Sequence, residues 1–458
     1  MNSKFLRRAA SLAVSGLMIT SLLAGCGPKE KDPEPTQAPT KAPVASDEGQ
    51  EKKPEDFSGT LSFGHFNEDE ATKLVAAFEA KYPNVKVDLQ VTADTNGAYQ
   101  TLMTSALRSG EDVPDVYGSE VAFVKRFVNI ADGYEDLSAA PYNAEELTSK
   151  IVPYTIDIGR SDDGKIRALS HQAAAAAVGY KREMAKEYLG TDDPAKVAEY
   201  FSSADKIVEL GKKLQEESNG KAILFPGMAE LMRMYLGARD QAWVEDGKLT
   251  IDPKIEEFVD TAKKLREAGA EGALTAWEAQ WSAAITDDIH FAYAIPTWGI
   301  PWIIDCNQPE EQQDKGDWAL CKAPAPYTWG GTWFGMYSGS ENKELAWEFI
   351  KFITADKEQS IAWAKQSGDF ISNLEAIEEL SKDDSMINKT IDQNPYEFFA
   401  PMIDDINGAI ITQYDDQITN AFQDAMLTYL ADGISEEEMW SQFKGQVESD
   451  LGDKITVE

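Results

Sequence analysis

Tryptophans concentrated in one stretch are the residues of this sequence best suited to binding chemistry. Of the 11 tryptophans, seven fall between residues 277 and 333. Trp277 and Trp281 are four residues apart, as are Trp298 and Trp302, which places each pair on one face of a helix. Indole rings offer flat, electron-rich faces, and the C–H faces of sugars lie well on such rings. The pattern predicts a carbohydrate-binding site, with Trp298 among the candidate stacking residues.

Further aromatic candidates follow from their position in the chain. Trp329 and Trp333 flank two glycines, and glycine lets a backbone approach a ligand closely. We expect the ligand contacts to include Trp302, Trp329, Trp333 and Gly331, and we extend the prediction to Trp277, Trp243 and Trp363. The pair Trp277 and Trp281 also fits a packing stripe, and Trp318 and Trp347 are predicted to lie in the core.

Polar side chains that follow predicted strands are the expected hydrogen-bonding partners of a sugar. Ligands of open α/β sheets bind at strand ends, so the loops that follow the strands are where we expect ligand contacts. Such side chains, together with one arginine on a later helix, are His65, Asn67, Glu68, Ser119, Glu120, His171, Gln172 and Arg233. Each of them could instead cap a helix or be solvated, and a lone histidine is more often structural than ligand-binding.

A secreted glycoside hydrolase is the competing function, because such an enzyme needs only a pair of carboxylates. The 79 acidic residues cannot exclude such a pair by number. However, the sequence has no Gly-x-Ser-x-Gly or His-Glu-x-x-His motif and only three histidines. We therefore predict a binding protein without catalytic residues, metal or cofactor. An adhesin is the third class, and it would not require the alternating pattern of elements described below.

The first 25 residues have the composition of a secretion signal. Lys4, Arg7 and Arg8 precede an apolar run over 9–23, and Leu-Leu-Ala-Gly-Cys ends at Cys26. A bilayer span takes about 20 apolar residues, so this run of about 15 is too short to be an anchor. We predict a signal peptide over residues 1–25, lipidation of Cys26, and attachment to the outer face of the membrane. Residues 26–56, rich in proline and charged side chains, form a tether.

Charge and cysteine content indicate which partners the protein can bind and which chemistry its cysteines can undergo outside the cytoplasm. The net charge of −36 repels nucleic acid and favours solubility at a crowded cell surface, so no nucleic-acid partner is expected. If Cys26 is lipidated, Cys306 and Cys321 remain as a pair outside the cytoplasm. Their spacing is compatible with a disulfide and equally with two free thiols.

The elements that must position these residues alternate between strand and helix. Residues 60–66 and 85–91 have the pattern of strands, and Asn67 is suited to cap the helix between them. Another helix is predicted over about 98–108, and the chain beyond about residue 342 is predicted to be helical. This alternation predicts an α/β fold with a mostly parallel sheet and helices on both faces.

Five segments in a fixed order carry a resemblance to a known family. They are Leu61 to Val85, Val113-Pro114-Asp115-Val116, Ile166 to Arg182, Phe291 to Trp298, and Gly330-Gly331 through Ile350. Together they resemble the family 1 extracellular solute-binding proteins, the maltodextrin-binding-protein-like receptors of ABC sugar importers.

The resemblance implies a two-lobe periplasmic-binding-protein-like fold, with a hinge, a ligand cleft between the lobes and a helical C-terminus. It implies an N-terminal lobe of residues 57–170 plus 291–328 and a C-terminal lobe of residues 171–290 plus 329–458. It also implies a monomer that delivers an oligosaccharide to the permease subunits of an ABC importer. Similarity to cello-oligosaccharide-binding lipoproteins of Gram-positive anaerobes favours a cellodextrin or another β-glucan oligosaccharide. Xylo-, manno- and galacto-oligosaccharides are the alternatives.

Overall fold

The computed structural model describes residues 52–458, so the predicted signal peptide, Cys26 and nearly all of the tether lie outside the described residues. The strands are β1 (Gly59–His65), β2 (Val85–Val91), β3 (Val116–Glu120), β4 (Leu169–Ser170), β5 (Ala175–Lys181), β6 (Val244–Glu245), β7 (Lys248–Leu249), β8 (Ala292–Pro296), β9 (Trp318–Cys321), β10 (Tyr327–Thr328) and β11 (Thr332–Met336).

Sixteen α-helices surround these strands in residues 52–458. They are α1 (Glu68–Lys81), α2 (Ala98–Ser109), α3 (Val121–Val128), α4 (Pro153–Gly159), α5 (Arg182–Leu189), α6 (Pro194–Tyr200), α7 (Ala204–Glu217), α8 (Met228–Gly237), α9 (Pro253–Glu267), α10 (Ala279–Ala283), α11 (Lys343–Thr354), α12 (Lys357–Ser367), α13 (Leu374–Leu380), α14 (Pro395–Phe399), α15 (Asp415–Leu430) and α16 (Glu436–Leu451). The mixed α/β class and the helical C-terminus are confirmed.

The β1–α1–β2 unit shows how the local sequence builds the first lobe. Asn67 caps α1, its side-chain oxygen accepting a hydrogen bond from the Glu70 backbone N–H at 3.2 Å. Leu74 and Phe78, four residues apart on one face of α1, are buried in the core. Strands β1 and β2 then pair in parallel from Gly59–Val85 onward.

Two separate sheets define the two lobes. The first sheet has the order β2-β1-β3-β11-β4, and β11 is antiparallel to its neighbours. The second sheet is built around β5, which pairs with β8, β9 and β10, all antiparallel. The sequence predicted a mostly parallel sheet, and parallel pairing among the long strands is confined to β1, β2 and β3 of the first lobe.

Strand pairing corrects the expected lobe boundaries. Residues 291–328 were expected in the N-terminal lobe, but β8, β9 and β10 all pair with β5 of the second sheet. Residues 329–458 were expected in the C-terminal lobe, but β11 lies between β3 and β4 of the first sheet. The chain therefore crosses between the sheets after β4 and again after β10. Helix α11 packs on α1 and β11, whereas α15 and α16 pack together and α15 contacts α9.

Candidate functional site

A cleft of about 460 Å³ lies where both lobes and the crossing segments meet. The first lobe contributes the start of α1 and Glu120 at the end of β3, and the second lobe contributes Trp277, Trp298 and Trp302. Gln172, Gly330 and Gly331 come from the two crossing segments. We call this space the main cleft. It brings together eight of the predicted ligand contacts: Asn67, Glu120, Gln172, Trp277, Trp298, Trp302, Gly331 and Trp363.

Three indole rings form the aromatic wall of the main cleft. Trp277 and Trp302 are 54% and 55% exposed, which is unusual for such large apolar side chains. The rings of Trp277 and Trp298 are nearly parallel, with centroids 6.1 Å apart and an angle of 12° between their planes. Trp277 also has a φ of +71°, a strained conformation for a bulky residue that is more common at functional sites than elsewhere.

The crossing glycines allow this wall to pack closely. Gly330 and Gly331 have φ values of +95° and +109°, which L side chains rarely adopt. A Cβ atom at Gly330 would lie 2.5 Å from Nε1 of Trp298. That indole nitrogen donates a hydrogen bond to the Trp329 carbonyl oxygen at 2.7 Å, so the backbone fixes the orientation of the Trp298 ring.

Polar groups of the first lobe and of the crossing segment also line the main cleft. Lys73 pairs with Asp69 at 2.7 Å within the first turns of α1. Glu70 Oε1, whose carboxyl has a lowered pKa despite its burial because His65 and His171 lie beside it, accepts a hydrogen bond from His171 Nε2 at 2.7 Å. Gln172 Nε2 donates to Asp369 Oδ2 at 2.9 Å. These hydrogen bonds fix several of the carboxylates and amides that could receive sugar hydroxyls.

Two carboxylates in the main cleft have raised pKa values. Trp363 Nε1 donates to Asp369 Oδ2 at 2.9 Å, and burial raises the pKa of the Asp369 carboxyl. Glu120 Oε2 accepts a hydrogen bond from the Ala122 backbone N–H at 2.7 Å. Burial raises the pKa of Glu120 to about 7, so this carboxyl can either donate or accept a hydrogen bond near neutral pH.

Trp329 and Arg233 lie together beside the main cleft. The Arg233 guanidinium is 3.8 Å from the centroid of the Trp329 ring, a cation–π contact. Both residues line a separate, smaller cavity rather than the main cleft. The Trp329 ring meets Trp298 edge-on, with centroids 5.1 Å apart.

Four predicted contacts are corrected because their side chains are buried in the core and each makes a hydrogen bond there. Trp333 Nε1 donates to the Thr155 carbonyl oxygen, and Trp243 Nε1 donates to Thr419 Oγ1. Ser119 Oγ hydrogen-bonds the hydroxyl of Tyr134 at 2.7 Å. His65 Nδ1 accepts from the Asn67 backbone N–H, and burial lowers the pKa of His65 to about 4.

Two further predicted contacts lie next to the main cleft without lining it. His171 is buried behind Glu70, to which it is hydrogen-bonded, and Glu68 is exposed at the first position of α1. Trp363, by contrast, does line the main cleft, and the predicted core positions of Trp318 and Trp347 are confirmed.

The two described cysteines are free thiols. Cys306 is exposed and Cys321 is buried in β9, so of the two alternatives the disulfide is wrong. Within residues 52–458 no group of three or more histidine, cysteine or acidic side chains could hold a metal ion.

The sequence analysis missed several residues of the main cleft: Phe66, Asp69, Glu70, Lys73, Pro301, Thr332, Gln366, Ser367 and Asp369. A signal for Glu70 and Lys73 was available. They follow the capping residue Asn67 at intervals of three, which places them on one face of α1, whereas Glu68 lies on another. No comparable local signal marks Gln366, Ser367 or Asp369, which follow from the packing of α12.

In the part of the chain that is described, no helix has both the length and the apolar character needed to cross a membrane. The sequence model of the bacterial extracellular solute-binding protein family matches residues 73–390.

Solved structures share the fold. A family 1 extracellular solute-binding protein has a TM-score of 0.74 at 21% identity, covering 85% of this chain and 99% of that one. The sugar-binding protein MalE from Xanthomonas citri has a TM-score of 0.70 at 14% identity, and the match covers 86% of this chain and 98% of that one. The galacto-N-biose-/lacto-N-biose I-binding protein of the Bifidobacterium longum ABC transporter has a TM-score of 0.68 at 13% identity. That match covers 88% of this chain and 99% of the other.

Proposed function

The chain belongs to the bacterial extracellular solute-binding proteins, and we propose that its solute is an oligosaccharide, which it delivers to an ABC importer. A member of this family binds its solute without transforming it, so the chain is not an enzyme. The observation that carries the proposal is the pair of half-exposed indole rings, Trp277 and Trp302, in a cleft that also contains carboxylates and amides. Apolar sugar faces suit the rings, and sugar hydroxyls suit the polar groups.

A cellodextrin or another β-glucan oligosaccharide is the favoured ligand. Its β-linked glucose units form a flat ribbon whose apolar faces match a row of indole rings. Trp277 and Trp298, with planes only 12° apart, supply two such rings of similar orientation. The sugar-binding protein from Xanthomonas citri and the lacto-N-biose complex from Bifidobacterium longum support a sugar as the solute class. Receptors for xylo-, manno- or galacto-oligosaccharides are the alternatives within the same class.

Titration calorimetry with cello-, xylo-, manno- and galacto-oligosaccharides of equal length tests this function. We expect saturable binding of one class, with the sugar recovered at its original length. A ligand present at about 100 times its Kd adds about 2.7 kcal/mol to the free energy of unfolding, so a thermal-shift screen identifies the class independently. No binding by any of the four classes would contradict the proposal.

We further propose that Cys26 carries a lipid and that residues 26–56 hold the monomeric receptor at the outer face of the membrane. The basic start, the short apolar run and the Leu-Leu-Ala-Gly-Cys motif support this anchor. Expression in a bacterial host tests it. The native chain should fractionate with membranes and incorporate labelled palmitate, whereas Cys26→Ser should do neither.

A further inference from the structure

A second cavity of about 230 Å³ adjoins the main cleft. Consecutive residues line the two spaces at two points: Glu120 lines the main cleft and Val121 the second cavity, and Gly330 lines the main cleft and Trp329 the second cavity. We call it the side cavity. Its walls are largely apolar and include Val121, Ala122, Leu236, Trp329, Ile406, Ile410 and Ile411.

Most polar side chains around the side cavity are already hydrogen-bonded to one another. Arg239 Nη2 pairs with Asp415 Oδ2 at 3.0 Å, and the other oxygen of Asp415 accepts from Thr412 Oγ1 at 2.7 Å. Asn420 Nδ2 donates to Asp416 Oδ1 at 3.3 Å. These groups therefore offer little to a sugar ring, which needs several hydrogen-bonding partners for its hydroxyls.

Two guanidinium nitrogens are the exception. Nη1 of Arg233 and Nη1 of Arg239 are buried and have no hydrogen-bond partner within residues 52–458. The nearest carboxylate oxygen to Arg233 Nη1, Oε1 of Glu230, is 3.8 Å away, beyond hydrogen-bonding distance. A buried donor without a partner is unfavourable, so a ligand atom that accepts a hydrogen bond here would be bound preferentially.

Charge around the side cavity decides what kind of acceptor fits. Arg233 and Arg239 are opposed by three carboxylates, those of Glu230, Asp415 and Asp416. A ligand carboxylate would add a further negative charge to a group that is not net positive. A neutral carbonyl oxygen accepts the same hydrogen bond without that repulsion.

We propose that the side cavity receives a neutral acyl substituent of the bound oligosaccharide, an acetyl ester or an acetamide. The carbonyl oxygen accepts a hydrogen bond from Arg233 Nη1, and the methyl group packs among the isoleucines of the cavity. This inference rests on the proposed oligosaccharide-binding function and adds the substituent that the receptor selects.

Calorimetry with matched ligands tests the inference on the full-length protein. One pair is O-acetylated xylo-oligosaccharide and the same preparation after alkaline deacetylation. The other is N-acetylated chito-oligosaccharide and cello-oligosaccharide of equal length. Because hydrogen bonds to charged groups are among the stronger ones, we expect the acetylated member of one pair to bind about ten-fold tighter. The pair that shows the preference identifies the ester or the amide as the source.

Two variants locate the preference in the side cavity. Arg233→Gln removes the charged donor, and Ala122→Leu adds bulk to the cavity lining without replacing the arginine. Either substitution should bring the affinity ratio of the acetylated and unacetylated ligands close to one. Trp302→Ala is the matched control: it should lower both affinities and leave their ratio unchanged, since Trp302 lines only the main cleft.

Three results would overturn the inference: equal affinities within both pairs, a ratio that neither variant alters, or a preference for glucuronic-acid-substituted over acetylated xylo-oligosaccharide. If the unacetylated ligands bind and acetylation adds nothing, the oligosaccharide-binding function stands and only the acyl site fails. If no sugar binds in any arm, the proposed function fails and this inference fails with it.

Discussion

The tryptophans of the main cleft and those of the core differ in what their surroundings do for the indole ring. Trp333, Trp281 and Trp243 are fully buried, and each donates its N–H to an acceptor in the chain. Trp277 and Trp302 leave more than half of their surface to solvent. Trp277 and Trp281 belong to the same predicted pair, yet one lines the cleft and the other is core. Residue type and spacing thus place an indole on a face, but complete burial of the ring together with an acceptor for its N–H marks it as structural.

The largest effect expected from this comparison is on stability. Trp333→Ala removes a fully buried ring from β11 and should lower the free energy of unfolding by about 3–5 kcal/mol. Urea unfolding measures it, and the protein that remains folded should bind its sugar with nearly native affinity. Loss of binding with a stability change below about 1 kcal/mol would show that Trp333 is a ligand contact. It would contradict the distinction between core and cleft tryptophans.

Replacing tryptophan by phenylalanine tests the contribution of the indole N–H separately from that of the aromatic ring. Trp281→Phe keeps an aromatic ring but removes the hydrogen bond to Glu230 Oε1, now 2.8 Å long. The buried carboxylate then loses a partner, so the free energy of unfolding should fall by about 1–3 kcal/mol. Trp277→Phe is the matched control in the cleft and should leave unfolding nearly unchanged. Equal losses in the two variants would contradict the distinction drawn here.

A core carboxylate and a cleft carboxylate differ in how many of their oxygens are hydrogen-bonded, although burial raises the pKa of both. Glu230 in the core has both oxygens hydrogen-bonded, to Trp281 Nε1 and to the Ala294 backbone N–H. Glu120 in the main cleft has one oxygen bonded to the Ala122 backbone N–H, and burial raises its pKa to about 7. Ionised Glu120 is therefore less favourable in the folded protein than in the unfolded chain.

The sign of the pH dependence follows from that shift. Between the ordinary pKa of 4.5 and the folded value of about 7, the folded protein keeps a proton that the unfolded chain has released. The stability from this proton is present at low pH and is lost as pH rises towards 7. Glu120→Gln has no such proton, so its stability relative to wild type should rise by about 1–3 kcal/mol between pH 5 and pH 8. Parallel stability curves for the two proteins would contradict a raised pKa.

Local patterns predicted the first lobe well. The expected strands at 60–66 and 85–91 differ from β1 and β2 by at most one residue at either end, and Asn67 caps α1 as predicted. These features depend on alternation and capping, which act over a few residues. The resemblance placed β8 and β11 in the wrong lobes. The pairing of β8 with β5 and of β11 with β3 is decided by contacts between residues far apart in the chain, which local patterns do not reveal.

The same difference explains the results for the site. Asn67, Glu120 and Gln172 line the main cleft. The sequence placed the first two there because they follow predicted strands, and the resemblance placed Gln172 on the crossing segment. Trp243 was predicted as a contact because nothing in its neighbourhood reveals Thr419, its partner 176 residues away. Asp369 was missed for the converse reason: its role depends on Gln172 and on a cleft formed by distant segments.

The smallest effect that we expect on stability comes from replacing an exposed tryptophan of the cleft. Such a variant tests the role of the ring in binding alone. Trp302→Ala removes a ring that is 55% exposed without ligand, so the free energy of unfolding should change by less than about 0.5 kcal/mol. Stacking lost from one ring should weaken sugar binding by about ten-fold, or about 1.4 kcal/mol. Trp440→Ala is the control, since Trp440 stacks on Phe422 and does not line the main cleft. It should leave affinity unchanged and lower stability instead. If Trp302→Ala destabilises the protein and leaves affinity intact, an exposed indole in the cleft is no better a sign of ligand contact than a buried one.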